Sequence, residues 1–173
     1  MATLTTNFSH VGISVSDVTK AIEFYKNVLG WNHIAGPLPV REIPDPNDFT
    51  NILYGRHGKK VGAFKLAHMS TQNGIGVELI EFGKGYDPDD DLDYDRHGIF
   101  HFGVQTQDLD ELIEKIIEAG GERVTPTKVM PCTDLMGHTL EYKIAFAKDP
   151  FGNIFEIYTH SYELQSKLPT KLG

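Results

Sequence analysis

The chain has 173 residues, 40% of them hydrophobic and 23% charged, which is enough to bury a sizeable core in one domain or two small fused modules. Its formal net charge of -8 excludes the concentrated basic surface that nucleic-acid backbones and anionic membranes demand, so the expected partner is a small molecule. Cys132 stands alone and cannot form an intramolecular disulfide, no apolar run is long enough to span a bilayer, and Met1 to Thr6 lack the basic and apolar regions of a signal peptide; the expected location is the cytoplasm.

In chain order, Ser9-His10-Val11-Gly12-Ile13-Ser14-Val15 alternates as a strand, with Val11, Ile13 and Val15 on one face and His10, Gly12 and Ser14 on the other. Ser16 and Asp17 offer an N-cap, Val18, Ala21, Ile22, Tyr25 and Val28 recur at helical spacing, and Gly30 stops the helix. Pro37, Pro39, Pro44 and Pro46 forbid a long helix after Trp31, so an irregular strand and a loop are expected there. Strands follow at Thr50 to Tyr54 and Val61 to Leu66, separated by the turn-rich Gly55 to Lys59, and then at Ile75 to Phe82. The acidic stretch Tyr86 to Arg96 lacks the spacing and glycine of a calcium loop and reads as a solvated linker.

Beyond it, Gly98 to Gln105 reads as a strand in which Phe100, Phe102 and Val104 share one face and His101 joins Ile99, Gly103 and Gln105 on the other. Asp108 caps a second helix, with Glu111 completing a capping box, Leu109, Leu112, Ile113, Ile116 and Ile117 as its apolar face, and Gly120-Gly121 as its stop. Strands are expected at Arg123 to Thr127 and Glu141 to Ala147, a turn at Asp149-Pro150-Phe151-Gly152-Asn153, and a last strand at Ile154 to Tyr158. Residues 161-173 read as a polar tail.

A shift of 91 residues lays His10 on His101, Gly12 on Gly103, Asp17 on Asp108, Ile22 on Ile113 and Gly30 on Gly121. The chain thus reads as one domain of two modules, 7-82 and 97-160, joined by the linker 83-96. Each module ends in a strand carrying a glutamate, Val77-Glu78-Leu79 in the first and Phe155-Glu156-Ile157 in the second. A module with one helix exposes the sheet face turned away from it, so the two are expected to pair those faces. If the helices cover the more apolar faces, His10, Glu78, His101 and Glu156 all point inward. Two imidazoles and two carboxylates in one cavity describe a site for a first-row divalent metal, since an ionised carboxylate there needs a cationic partner.

At these residues, with the turn at Asp149 leading into Glu156, the chain resembles the vicinal oxygen chelate superfamily, which includes glyoxalase I, methylmalonyl-CoA epimerase, extradiol dioxygenases and bleomycin-resistance proteins. The resemblance spans Phe8 to His160 and implies an α+β fold of paired βαβββ modules forming a cupped, barrel-like mixed sheet with helices outside. It implies metal ligation at His10, Glu78, His101 and Glu156 by one divalent ion per site, which Zn, Ni, Mn, Co or Fe would satisfy. It also implies chelation of two neighbouring substrate oxygens and stabilisation of a developing oxyanion. Glyoxalase I commonly carries an arginine and an asparagine for glutathione where this chain has Ser14 and Phe82, which argues against a glutathione substrate.

The leading expectation is a metal-dependent lyase or isomerase in which Glu156 or Glu78 moves a proton next to a chelated carbonyl of a small oxygenated metabolite. An iron(II) extradiol-type dioxygenase would use two histidines and one carboxylate and leave Glu78 as a fourth ligand; a non-catalytic, ligand-sequestering protein is the third reading. Ser14, Gln105 and Tyr158 share the inner face as substrate contacts or cavity lining. Glu81 falls on the opposite face and is expected in solvent or at a strand end. His33, His57, His68, His97, His138 and His160 fall in loops or at segment ends, with His138 a candidate for a lid, and Phe24, Tyr25, Phe64 and Phe155 are assigned to the core. Two modules in one chain are compatible with closure within a protomer or with a homodimer by exchange.

Overall fold

The computed structural model describes residues 6-42, 44, 45, 47, 62-83, 98-133 and 138-160. The fold is α+β, and the chain divides into two compact units, Met1–Asp91 and Leu92–Gly173. The expected strand at Thr50 to Tyr54, the turn after it, the acidic stretch, the tail, His57 and His97 lie outside the described residues. Among the described residues no helix is long and apolar enough to cross a membrane.

The first unit runs β1 (His10–Ser14), α1 (Val18–Asn27), β2 (Asn32–Val40), β3 (Phe64–Ser70) and β4 (Gly76–Phe82), the expected βαβββ order. Its sheet is ordered β1-β4-β3-β2, with β1 parallel to β4 and the other pairs antiparallel. The prolines of β2 are tolerated because β2 is an edge strand, where a missing N–H removes no ladder bond, and the ladder slips at the bulge around Gly36. At Gly36 the φ is +97° and a Cβ would stand 2.6 Å from the Leu66 carbonyl oxygen, so only glycine fits. The strand expected at Val61 to Leu66 is displaced to Phe64–Ser70, which puts His68 in mid-strand rather than in a loop.

Of the two cap candidates Asp17 is the one used: its carboxylate accepts the amides of Thr19 and Lys20 at 3.0 Å each. Glu81 adds a second anchor, accepting the Val18 amide at 2.8 Å and pairing with Lys65 at 2.7 Å. Glu81 lies on the face opposite Glu78 and next to the end of β4, as expected, but it is not left in solvent: its side chain is 20% exposed and ties α1 to the sheet. Below the cap, Val18, Ala21, Ile22, Phe24 and Tyr25 are buried, and Tyr25 stacks on Trp31 with centroids 4.8 Å apart. Fully burying such side chains contributes about 1.5–3 kcal/mol each.

The second unit runs β5 (Phe102–Gln105), α2 (Leu109–Glu118), β6 (Glu122–Arg123), β7 (Lys128–Thr133), β8 (Thr139–Lys148) and β9 (Ile154–Tyr158). Its order is β5-β9-β8-β6 with β7 also on β8, and β5 is parallel to β9 as β1 is to β4. The strand expected at Arg123 to Thr127 is instead two residues of β6 and a separate β7, because Pro126 interrupts the ladder between them. The first strand begins only at Phe102, so Phe100, expected on its apolar face, precedes the strand and is 41% exposed, and Ile99, expected on the face of His101, is 82% exposed. The capping box is half-formed: Asp108 accepts the Glu111 amide at 3.0 Å, but its own amide donates to Thr106 at 3.3 Å and the Glu111 carboxylate pairs with Lys115. Ile113 and Ile116 are buried, whereas Ile117, assigned to the same face, is half-exposed. Asp110 joins α2 to β8 through Lys143; the hydrogen bond and charge of that lysine hold the Asp110 carboxyl below its usual range. The aromatics assigned to the core, Phe24, Tyr25, Phe64 and Phe155, are all buried.

At Asp149 the carboxylate accepts the amides of Phe151 and Asn153 at 2.9 and 2.8 Å and the Asn153 side-chain amide at 2.8 Å, and Gly152 turns at φ +93°. This turn sets the start of β9 and thereby the position of Glu156.

The Asp17 carboxyl is held below the usual range of an aspartate, first by the hydrogen bond from the Lys20 amide and then by the Lys20 charge and the Thr19 amide. A depressed carboxyl contributes stability that is present above the unfolded value and lost as pH falls through the folded one. The melting temperature of Asp17→Asn, which keeps the cap acceptor and removes the charge, is therefore expected below that of the parent at pH 6. The gap should close below about pH 4. A gap that is constant from pH 6 to pH 2.5 would exclude a charge contribution.

Candidate metal centre

In the first unit the sheet face turned away from α1 carries His10, Gly12 and Ser14 of β1, Gly76, Glu78 and Ile80 of β4, and Leu66, His68 and Ser70 of β3. The parallel register sets Gly12 beside Glu78, with His10 one side-chain step back, and His10 Nε2 stands 4.0 Å from Glu78 Oε2. The antiparallel register sets His68 directly across from Glu78, with Nε2 3.5 Å from Oε1. His68 is thus part of this group although the sequence reading left it out. The signal was present: once β3 and β4 are paired as a hairpin through Gln72-Asn73-Gly74, alternation places His68 opposite Glu78.

In the second unit the equivalent face carries His101, Gly103 and Gln105, then Glu156 and Tyr158 of β9, and Tyr142, Ile144 and Phe146 of β8. His101 Nε2 stands 3.2 Å from Glu156 Oε2, and the Tyr158 hydroxyl donates to the same oxygen. The imidazole lies between Phe100 and Phe146, edge-on to both with centroids 5.3 and 5.4 Å away. Its Nδ1 is buried with no hydrogen-bond partner among the described residues. Glu156 is the more enclosed carboxylate, its side chain 12% exposed against 26% for Glu78.

The glycines of the repeat have a local reason. Gly12 and Gly103 lie beside Glu78 and Glu156 in the two parallel pairs, and a large side chain at either would occupy the space next to the carboxylate. Gly76 is stricter still: a Cβ there would stand 2.9 Å from the Cβ of His10 and 3.2 Å from the Ser9 carbonyl oxygen. Ser14 and Gln105 share the faces of their histidines but lie four residues further along, roughly 13 Å at strand rise. The Tyr158 hydroxyl is engaged with Glu156. His33 and His138 are exposed, and His160 packs edge-on against Tyr142. A groove of the second unit, lined by Gln107, Leu109, Val129, Tyr142 and Lys143, lies at the start of α2.

The donor chemistry fits a divalent metal. Nitrogen and oxygen ligands at about 2.0–2.1 Å from an ion such as zinc stand roughly 2.8–3.4 Å apart in tetrahedral or octahedral arrangements. The His101–Glu156 separation of 3.2 Å falls inside that range, the His68–Glu78 contact at 3.5 Å is just beyond it, and the His10–Glu78 contact at 4.0 Å is wider. An imidazole nitrogen and a carboxylate oxygen at this distance need a proton or a cation between them. Among the described residues no three His, Cys, Asp or Glu side chains gather closely enough to hold an ion; the donors come as a His–Glu pair in each unit, with His68 beside the first.

Each unit is thus a mixed sheet that sets one His–Glu pair on the face turned away from its helix, and the chain is an α+β protein of two such units. Residues 7–157 match the Glyoxalase/Bleomycin resistance protein/Dioxygenase superfamily, and the chain belongs to it. A lactoylglutathione lyase of Arabidopsis thaliana is 31% identical over 150 residues, covering 87% of this chain but only 43% of that protein, so the chain spans less than half the length of this relative. Among solved structures, a glyoxalase family protein from Bacillus cereus shares the fold at TM-score 0.67 and 18% identity, covering 92% of this chain and 97% of that one. The fosfomycin resistance protein FosX from Listeria monocytogenes, complexed with manganese(II) and sulfate, shares it at TM-score 0.56 and 17% identity, covering 95% and 100%.

Gly76→Ala should displace His10 while leaving the second unit alone, since the added methyl meets the His10 Cβ directly. In heteronuclear spectra the His10 imidazole signals are expected to move and those of His101 to stay. Unmoved His10 signals would show that β1 does not depend on Gly76.

Proposed function

We propose that the chain is a metal-dependent lyase or isomerase of the glyoxalase-like superfamily, with His10, Glu78, His101 and Glu156 as ligands of a divalent metal. The observation that carries the reading is the recurrence of a His–Glu pair in register in both units, at 4.0 Å in the first and 3.2 Å in the second. Support also comes from relatives named as lactoylglutathione lyases and from a fold neighbour that holds manganese(II). When bound, the metal supplies Lewis acidity, polarising a substrate carbonyl so that the adjacent C–H becomes acidic.

This chain's own groups then have separate tasks. Glu156, enclosed and hydrogen-bonded by Tyr158, or Glu78, with its two oxygens divided between His10 and His68, takes the proton next to the carbonyl and returns it. His101 is held edge-on by Phe100 and Phe146, which fixes its ring plane before a ligand arrives. The substrate is a small α-oxygenated carbonyl compound rather than a glutathione adduct. Ser14 and Phe82 stand where the glyoxalase I pattern has an arginine and an asparagine, so charge recognition of a peptide carboxylate is missing from those positions.

Protein purified without added metal is expected to contain a tightly bound divalent ion. Glu78→Gln and His101→Ala should each lower its affinity by at least about 100-fold. Metal-loaded protein should catalyse exchange of deuterium from D2O into hydroxyacetone, and a chelator should stop it. Full metal occupancy in both variants would overturn the ligand assignment. Tight metal binding without exchange of any small α-hydroxycarbonyl would favour a sequestering role.

A further inference from the structure

The two candidate carboxylates are equivalent by the repeat, yet their surroundings differ in one respect. Across the antiparallel pair Glu78 faces His68, whereas Glu156 faces Phe146. Two residues further along the same strand Glu78 is followed by Ile80, whereas Glu156 is followed by Tyr158, whose hydroxyl donates to it. Each unit therefore supplies its glutamate with one polar side chain besides the histidine of the repeat, and each takes it from a different strand. The apolar residue of one unit stands where the polar residue of the other does. That exchange is hard to assign to packing, because Leu66 and Ile80 show that the His68 neighbourhood accepts aliphatic side chains.

We propose that His68 is a positioning residue for Glu78, as Tyr158 is for Glu156: its Nε2 draws Oε1 toward β3 and leaves Oε2 on the His10 side. This rests on the reading of Glu78 as a metal ligand. A carboxylate free to rotate spreads its metal-facing oxygen over several rotamers, and ordering them costs binding free energy. A charge-assisted contact to the second oxygen bears that cost in advance, and partners of this kind typically set metal affinity by 10- to 100-fold. His68 sits 3.5 Å from Oε1 and its side chain is 38% exposed, so it is neither a core residue nor remote from the carboxylate. No bond is made or broken at His68, and it is not a catalytic residue.

The test is zinc affinity of the full chain by competition with a chromophoric chelator, for the parent, Glu78→Gln, His68→Leu and His68→Gln. Glutamine keeps an N–H donor near the position of Nε2; leucine keeps bulk and removes the donor. His68→Leu is expected to bind about 10- to 100-fold more weakly and His68→Gln within about threefold of the parent. The metal-free melting temperature of both should match the parent, which separates positioning from a structural role. His68→Val replaces His68→Leu if the latter fails to fold. An affinity of His68→Leu within twofold of the parent overturns the proposal. So does a His68→Gln variant as weak as His68→Leu, which would make the imidazole itself a ligand. If Glu78→Gln retains full affinity, the ligand assignment of Glu78 fails and the proposal with it. If Glu78→Gln loses the metal and His68→Leu does not, only the role of His68 fails.

Discussion

A carboxylate on the helix-free face of a sheet, among Ile80 and Leu66 in one unit and Ile154 and Phe146 in the other, is the constraint to which the rest of the structure answers. An ionised oxygen in such surroundings loses hydration and needs positive or hydrogen-bonding partners. Each unit supplies a histidine two residues before a glycine, His10 at the start of β1 in His10-Val11-Gly12 and His101 just ahead of β5 in His101-Phe102-Gly103. The parallel pairing of that strand with the glutamate strand is what makes the arrangement exact in register, and the capped helix between them is what makes a parallel pairing reachable. Asp17 and Asp108 start those helices at matching points of the two units.

The helix-facing side of each sheet carries the stability. Val77, Leu79, Ala67 and Met69 meet α1, and Phe155, Ile157, Ala145 and Ala147 lie on the side toward α2, nearly all fully buried. Charged residues on this side are tied to the helices, Glu81 to the start of α1 and Lys143 to Asp110 of α2. The side chains of His68 and Glu78, on the other face, are 38% and 26% exposed, so they lie outside that buried layer. Substitutions at His68 or Glu78 can therefore alter ligand binding without unfolding the unit.

Much of this was legible in the sequence, because strand alternation and the shift of 91 residues together assign faces without knowledge of the packing. His10, Gly12 and Glu78 fell on one face by that argument, as did His101, Gly103 and Glu156, and the pairs are within 4.0 Å in the structure. Features that depend on pairing register were not legible. His68 reads as one histidine among several until β3 is aligned to β4, and a misplaced start for β3 hid it. Glu81 lies three residues from Glu78, and only the position of the Val18 amide reveals its role as a helix anchor. Pro126 and the late start of β5 moved strand limits, since a proline or a pair of exposed apolar residues interrupts a ladder that alternation alone would continue. Gly76 is invisible to periodicity, because its meaning is the 2.9 Å that a methyl group would leave to His10.

The proposed metal site depends on imidazole nitrogens acting as ligands. The most direct measurement is a zinc titration of the metal-free chain followed by the imidazole resonances of its histidines. The signals of His10 and His101 are predicted to shift together with added zinc and in slow exchange, while the exposed His33 and His138 stay in place. Unmoved signals at His10 and His101, with zinc bound only weakly and at the exposed histidines, would contradict the account.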